Sequence, residues 1–231
     1  MRDTTTEPGT AAAPGPATAP ATAPLRRGWL LAATLGATTL GTVSNNIVNV
    51  PLRQITSDLD APVTQGVLIA SATVVVLAVA LPMTGWISDR LGRRHTLVLA
   101  LATLLVGTIG ATFAPSLAIM VASRGVQGLG CATVPVAVMG TLARSFPPER
   151  RSRVMGAWGA ANGIGQAVGP PIGGFVAGAF GWRAIFGALI PLTVAVLVLT
   201  LRVVPPDAGP APDGMKLVEV PDLGAVFGRL F

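Results

Sequence analysis

The sequence predicts an all-α membrane protein, a bundle of six transmembrane helices. Three observations predict it. Only 11% of the 231 residues are charged and 51% are hydrophobic, whereas a soluble domain carries about 25% charge. The apolar residues gather into six long runs, at about 29–50, 63–87, 95–113, 116–142, 154–180 and 184–204. The arginines fall between those runs, and mostly on one side of them.

A helix needs about 20 residues, rising 1.5 Å each, to cross about 30 Å of hydrocarbon. The third run is short, and the fourth and fifth are long enough to tilt. The runs are continuous and lack the alternation of a membrane barrel, so helices are expected throughout. Residues 1–28 are mostly Ala, Pro and Thr. Such a segment buries too little apolar surface to offset its chain entropy, and disorder is expected there. The first run is too long for a signal-peptide core and shows no evident small-residue cleavage site, so it reads as a retained helix. Residues 29–204 form the expected bundle. Residues 205–231 are Pro-rich and then weakly apolar, which reads as a cytoplasmic tail leading into a truncated seventh helix.

The loops set the expected orientation. Arg26 and Arg27 flank the first run, Arg90, Arg93 and Arg94 the second loop, Arg144, Arg150, Arg151 and Arg153 the fourth, and Arg202 the end of the sixth run. The opposite side shows only Arg53 and Arg183. This bias predicts a multi-pass protein of the inner membrane with its N-terminus in the cytoplasm. The net charge of +6 suits an anionic lipid surface, and no nucleic-acid partner is expected. One cysteine and one histidine leave no set of metal ligands, and neither metal nor cofactor is expected. Cys131, inside an apolar run, reads as a small packing residue. No G-x-S-x-G motif occurs and His95 lies at a loop edge, so a membrane hydrolase is not the expected class.

Three motifs carry more than composition. The first lies between the second and third runs: Gly85, Asp89, Arg90, Gly92, Arg93 and Arg94. Gly92 can supply the backbone angles of a tight reversal. Asp89 can pair with an arginine or cap a helix start. The spacing resembles the G-x-x-x-D-R-x-G-R-R signature of the major facilitator superfamily at every fixed position. The resemblance implies a loop that latches this half of a transporter against a second half.

The second motif is Arg124-Gly-Val-Gln127-Gly128-Leu-Gly130 in the fourth run. An intramembrane Arg costs at least about 2.5 kcal/mol and faces a partner or a wet cavity, unless it snorkels to the interface. The R-x-x-Q-G-x-G spacing is similar to the family's fourth-helix motif, which implies a proton-coupling role for Arg124 with Gln127. The third motif, in the fifth run, is Gly156, Gly165, Gly169, Pro170, Gly173 and Gly174. Small residues at every fourth position make a narrow stripe along which membrane helices pack closely. The G-x8-G-x3-G-P-x2-G-G pattern resembles the antiporter signature of the same superfamily.

Weaker likenesses extend the resemblance from residue 29 to the end. Asn46-Ile-Val-Asn49-Val-Pro-Leu resembles the T-I-V-N-V-A-L-P stretch of fourteen-span drug/proton antiporters, with Ser44 where that family commonly carries Asp. Trp182-Arg183-Ala-Ile185-Phe186 resembles the start of its sixth helix, and Asp222-Leu-Gly224-Ala225 the start of its seventh. The chain is thus identified as resembling the N-terminal half of a major facilitator fold, two inverted three-helix repeats. Gly174, Gly181 and Arg183 echo Gly85, Gly92 and Arg94 at a constant displacement of 89 residues, the trace such repeats would leave.

Asn45 and Asn49 sit four apart in the first run, and Asn162 and Gln166 four apart in the fifth. Amides in lipid need partners or water. Either they bond between helices, or Asn45, Asn49, Asn162 and Gln166, with Arg124 and Gln127, line a cavity. The resemblance implies proton-coupled efflux of small hydrophobic or cationic compounds by alternating access. It implies as partners membrane lipid, substrate, protons and a second six-helix half, from another chain or a homodimer. The alternative is a truncated, transport-inactive protein that only associates with other membrane proteins. That no Asp or Glu lies within the six runs favours this alternative.

Overall fold

Apolar runs of this length close their own backbone hydrogen bonds as helices, and the computed structural model shows this for the residues it describes, 24–204. The segment up to residue 23 and the tail at 205–231, with its expected seventh helix, lie outside the described residues. The elements are α1 (Pro24–Asn46), a 3-10 turn at Ile47–Asn49, a short α2 (Leu52–Asp58), α3 (Gly66–Leu91), α4 (Arg93–Thr112), α5 (Leu117–Ser145), α6 (Pro148–Phe180) and α7 (Trp182–Val203).

The long helices follow the six runs, with differences at their ends. α1 begins at Pro24 and stops at Asn46, so Asn49 falls on the turn beyond it. α3 continues to Leu91, which makes Gly85, Asp89 and Arg90 helical and shrinks the expected loop to Gly92. α6 starts at Pro148 and takes in Arg150, Arg151 and Arg153. Charged side chains at these ends reach water while the backbone stays helical, so hydropathy underestimates helix length there. α2 was not expected. Leu52 and Ile55 within it and Leu59 just after it are helically spaced but too few to register as a run.

Four segments, Val63–Leu91, Arg93–Thr112, Leu117–Ser145 and Trp182–Val203, are long and apolar enough to cross a membrane. α1 and α6 are diluted by Thr, Ser, Asn, Gln and Gly, although their 23 and 33 residues are long enough. The distribution of side chains is inverted relative to a soluble bundle. Val67, Leu68, Val74, Val75 and Val79 of α3 are exposed, as are Ile164, Val168, Ile172 and Phe175 of α6. The buried faces carry many small and hydroxyl residues: Thr34, Thr38, Thr108, Thr141 and Thr193 are interior, and each hydroxyl donates to the carbonyl one turn back. That arrangement satisfies polar groups without water.

α5 packs against α4, α3 and α1, and α1 in turn packs against α6 and α7. The triplet α1, α3, α4 matches α5, α6, α7: the pair α3–α5 answers to α6–α1, and α4–α5 to α7–α1. The connections match too. Gly92 joins α3 to α4 with φ 79°, ψ 161°, and Gly181 joins α6 to α7 with φ 82°, ψ 160°. Both conformations lie in a region open essentially to glycine alone. The antiparallel neighbours α4 and α7 are stapled at both ends. Arg94 donates to Leu201 O at 2.8 Å, and Arg183 donates to Ala114 O at 3.2 Å. Each arginine thus meets carbonyls at or just past the negative end of the facing helix.

Small residues set the helix spacing. A Cβ on Gly128 would lie 2.7 Å from Thr73 O, and one on Gly130 would lie 2.7 Å from Ala100 O. Along α6, Gly165 meets Thr42, Gly169 meets Asn46 and Val43, and Gly173 meets the Ile47 carbonyl. Two apolar clusters fill the bundle. One holds Ile47, Ile55, Ile69, Trp182 and Phe186, the other Leu97, Leu101, Val138, Leu142 and Phe146.

Candidate functional site

Where α1 comes to its end and faces the middles of α3, α5 and α6, the packing opens into a cavity of about 230 Å³. α1 supplies Thr38, Gly41, Thr42, Asn45 and Asn46 to its wall. α3 supplies Leu77, α5 supplies Cys131, Val134 and Pro135, and α6 supplies Asn162 and Gln166. Gly165 allows α6 to approach α1 beside the cavity, since a Cβ there would lie 2.9 Å from the Thr42 side chain.

The wall has its own hydrogen-bond order. Gln166 Nε2 donates to Asn162 Oδ1 at 3.0 Å across one turn of α6. Thr42 Oγ1 donates to Thr38 O at 2.8 Å and lies 3.4 Å from Asn162 Oδ1. Asn46 Nδ2 donates to Thr42 O at 2.9 Å. The Cys131 thiol donates to Gly41 O at 3.4 Å and is nearly buried at the cavity edge.

Arg124 lies behind this wall. It is 1% exposed and does not snorkel to the surface. Its Nη1 donates to Ser44 O at 2.8 Å and to Gln127 Oε1 at 2.6 Å, and its Nη2 donates to Asn45 O at 3.1 Å. Gln127, fully buried, passes the network on from Nε2 to Thr108 Oγ1 at 2.9 Å. The break in α1 after Asn46 leaves its last carbonyls without intrahelical partners. A guanidinium meets that need, with the dipole in its favour. Arg124 therefore holds the C-terminus of α1 to α5.

The structure brings Asn45, Asn162 and Gln166 together on the cavity wall. It does not place Asn49, Arg124 or Gln127 there. Asn49 is exposed on the turn after α1, because the helix that would have aligned it with Asn45 has already ended. Thr38, Thr42 and Asn46 line the cavity without having been singled out, although their spacing of four residues was the available signal. At the end of α3, Arg90 lies over the Trp86 ring at 4.1 Å, Asp89 is exposed, and Arg94 points inward to α7. Arg93 runs beneath α5, its Nε 2.7 Å from where a Cβ on Gly140 would stand. In the α6 motif Gly165, Gly169, Gly173 and Gly174 contact α1 and the turn after it, while Gly156 faces open space. Pro170 lies inside α6 without ending it. At the opposite end of the bundle Trp182 Nε1 donates to Asp58 Oδ2 at 2.9 Å, fastening α2 to the α6–α7 turn.

Long helices with apolar side chains outward around a polar cavity define a multi-pass membrane protein. The chain belongs to the major facilitator superfamily, whose family model matches residues 32–230. It is 35% identical over 126 residues to the multidrug resistance protein Stp of Mycobacterium tuberculosis, covering 54% of this chain and 24% of that one. It is 29% identical over 164 residues to the methylenomycin A resistance protein of Streptomyces coelicolor, covering 71% and 34% respectively. The matched stretches thus cover about a quarter to a third of the length of these curated relatives. Its fold is similar to that of the proton:xylose symporter XylE, with a TM-score of 0.67 at 16% identity, over 77% of this chain and 44% of that one.

Proposed function

We propose that this chain is one helical half of an efflux transporter of the inner membrane, which moves small molecules outward by alternating access. The carrying observation is the half-open, amide-bearing cavity at mid-length of α3, α5 and α6, set among helices whose outer faces are apolar. Polar groups at the centre of such a bundle pair within the protein or mark a solute path, and these amides keep hydrogen-bonding capacity unpaired. Relatives named for drug resistance support the direction of transport. In this reading α1 and α6 also span the bilayer, giving six crossings. The arginine-rich ends, at the α3–α4 and α5–α6 turns, face the cytoplasm together with the N-terminus.

A second helical half, from another chain or another copy, completes the substrate path. Gly85, Asp89 and Arg90 form the surface that meets it, Gly92 turns the chain there, Arg93 and Arg94 tie that turn to α5 and α7, and Gly156 faces the second half from the start of α6. Proton coupling draws its carboxylate from that second half. The four described acids, Asp58, Asp60, Asp89 and Glu149, all sit at helix ends or in loops. The test is accumulation of labelled chloramphenicol in cells expressing this chain, alone and together with the C-terminal half of a relative. Lowered accumulation that Asp89→Asn abolishes supports the reading. Accumulation equal to empty vector in both settings sinks it.

A further inference from the structure

No Asp, Glu, Lys, Arg or His lines the cavity among the described residues. Its polar groups are amides and hydroxyls, and several keep hydrogen-bonding capacity in hand. The Asn45 amide, Asn46 Oδ1, Asn162 Nδ2 and Gln166 Oε1 bond no protein group among the described residues, so the wall holds both donors and acceptors without protein partners.

The charge nearest this wall is positive. Arg124 donates to the carbonyl of Asn45, whose side chain lines the cavity. Its hydrogen-bond partners among the described residues are two carbonyls and the Gln127 amide, with no carboxylate. A permanent cation against this wall would lose hydration, meet a like charge and find no carboxylate on the wall in return. A carbonyl or hydroxyl oxygen would accept from the amides and sit in a favourable potential. The 230 Å³ is less than the roughly 300–1,000 Å³ of a complete drug site, so this wall grips one polar group of a larger ligand.

We propose that the cavity selects uncharged, oxygen-rich ligands, bearing a carboxamide, ketone or hydroxyl group, over permanent cations. The proposal rests on the cavity being the substrate site, and it narrows the hydrophobic-or-cationic class expected from the sequence. The test is equilibrium binding to the full chain in lipid nanodiscs. The two labelled probes are chloramphenicol, neutral with an amide and hydroxyls, and tetraphenylphosphonium, a permanent cation without donors. Binding to empty nanodiscs is subtracted. Chloramphenicol is expected to bind at least about tenfold more tightly, and Asn162→Leu and Gln166→Leu to weaken it about fivefold, as the loss of one hydrogen bond would. Gln166 is exposed and bonds only Asn162 of its own helix, so its variant is expected to fold. Tetraphenylphosphonium binding as tightly, and weakened by the same variants, overturns the selectivity while leaving a ligand site. No binding that responds to either variant overturns the cavity reading as well.

Discussion

Arg124 carries a full charge into the interior and is held there by Ser44 O, Asn45 O and Gln127 Oε1, while its Nε is buried without a partner. Burying an ion this way is costly, and the cost is offset only where its donors meet acceptors that would otherwise go unpaired. Arg124→Met is expected to lower stability by about 1–3 kcal/mol, because it strands those acceptors. Arg124→Lys is expected to fall between, since one ammonium cannot span the carbonyls as a planar fork does. Thermal unfolding in detergent micelles reads both. Equal stability of all three proteins would remove the anchoring role. The glycines of α6 separate in the same assay. Gly173→Ala drives a Cβ into the Ile47 carbonyl and is expected to cost about 1–3 kcal/mol. Gly156→Ala has nothing within 4 Å and is expected to be neutral, or stabilising by up to about 1 kcal/mol. The sequence showed that Arg124 and these glycines stand out, but not what they touch. Backbone carbonyls such as Ser44 O and Ile47 O leave no mark in a sequence. Asn49 was misplaced for a related reason: a break in α1 between two asparagines changes no residue's hydropathy.

Helices were legible because each is long and apolar, and their ends were less so because helix and hydrocarbon do not stop at the same residue. The arginines of α6 were read as loop although Pro148 begins a helix that contains them. The turns at Gly92 and Gly181 are different: the sequence echo at 89 residues became two connections with nearly the same backbone angles. Each conformation excludes a Cβ, so Gly92→Ala and Gly181→Ala are each expected to cost about 1–3 kcal/mol, by similar amounts. Chemical unfolding of the two variants checks this. A loss at one and none at the other would mean that the two turns are not equivalent elements. The staples from Arg94 to Leu201 O and from Arg183 to Ala114 O add to the correspondence. Arg183 also reaches a carboxylate, Asp58 at 4.0 Å, and both of those side chains are about half exposed. That pair is worth under about 1 kcal/mol.

At the scale of the whole molecule, charge deficit and arginine bias already declared a membrane protein, and the outward apolar faces of α3 and α6 agree. The cavity was legible only in part, since Asn162 and Gln166 announced it through their spacing while the hydroxyls of α1 blended into a Thr-rich helix. Placing those residues around one space required the tertiary contacts of α1 with α5 and α6. The central claim is that water and solute reach this space from inside a bilayer-embedded bundle. Its most direct test is labelling by a membrane-impermeant maleimide in native membrane vesicles, on a Cys131→Ser background. Asn162→Cys and Gln166→Cys are expected to label, while Val75→Cys, on the 58% exposed outer face of α3, stays unreactive in lipid. Cysteines at 162 and 166 as inert as the one at 75 would contradict the account.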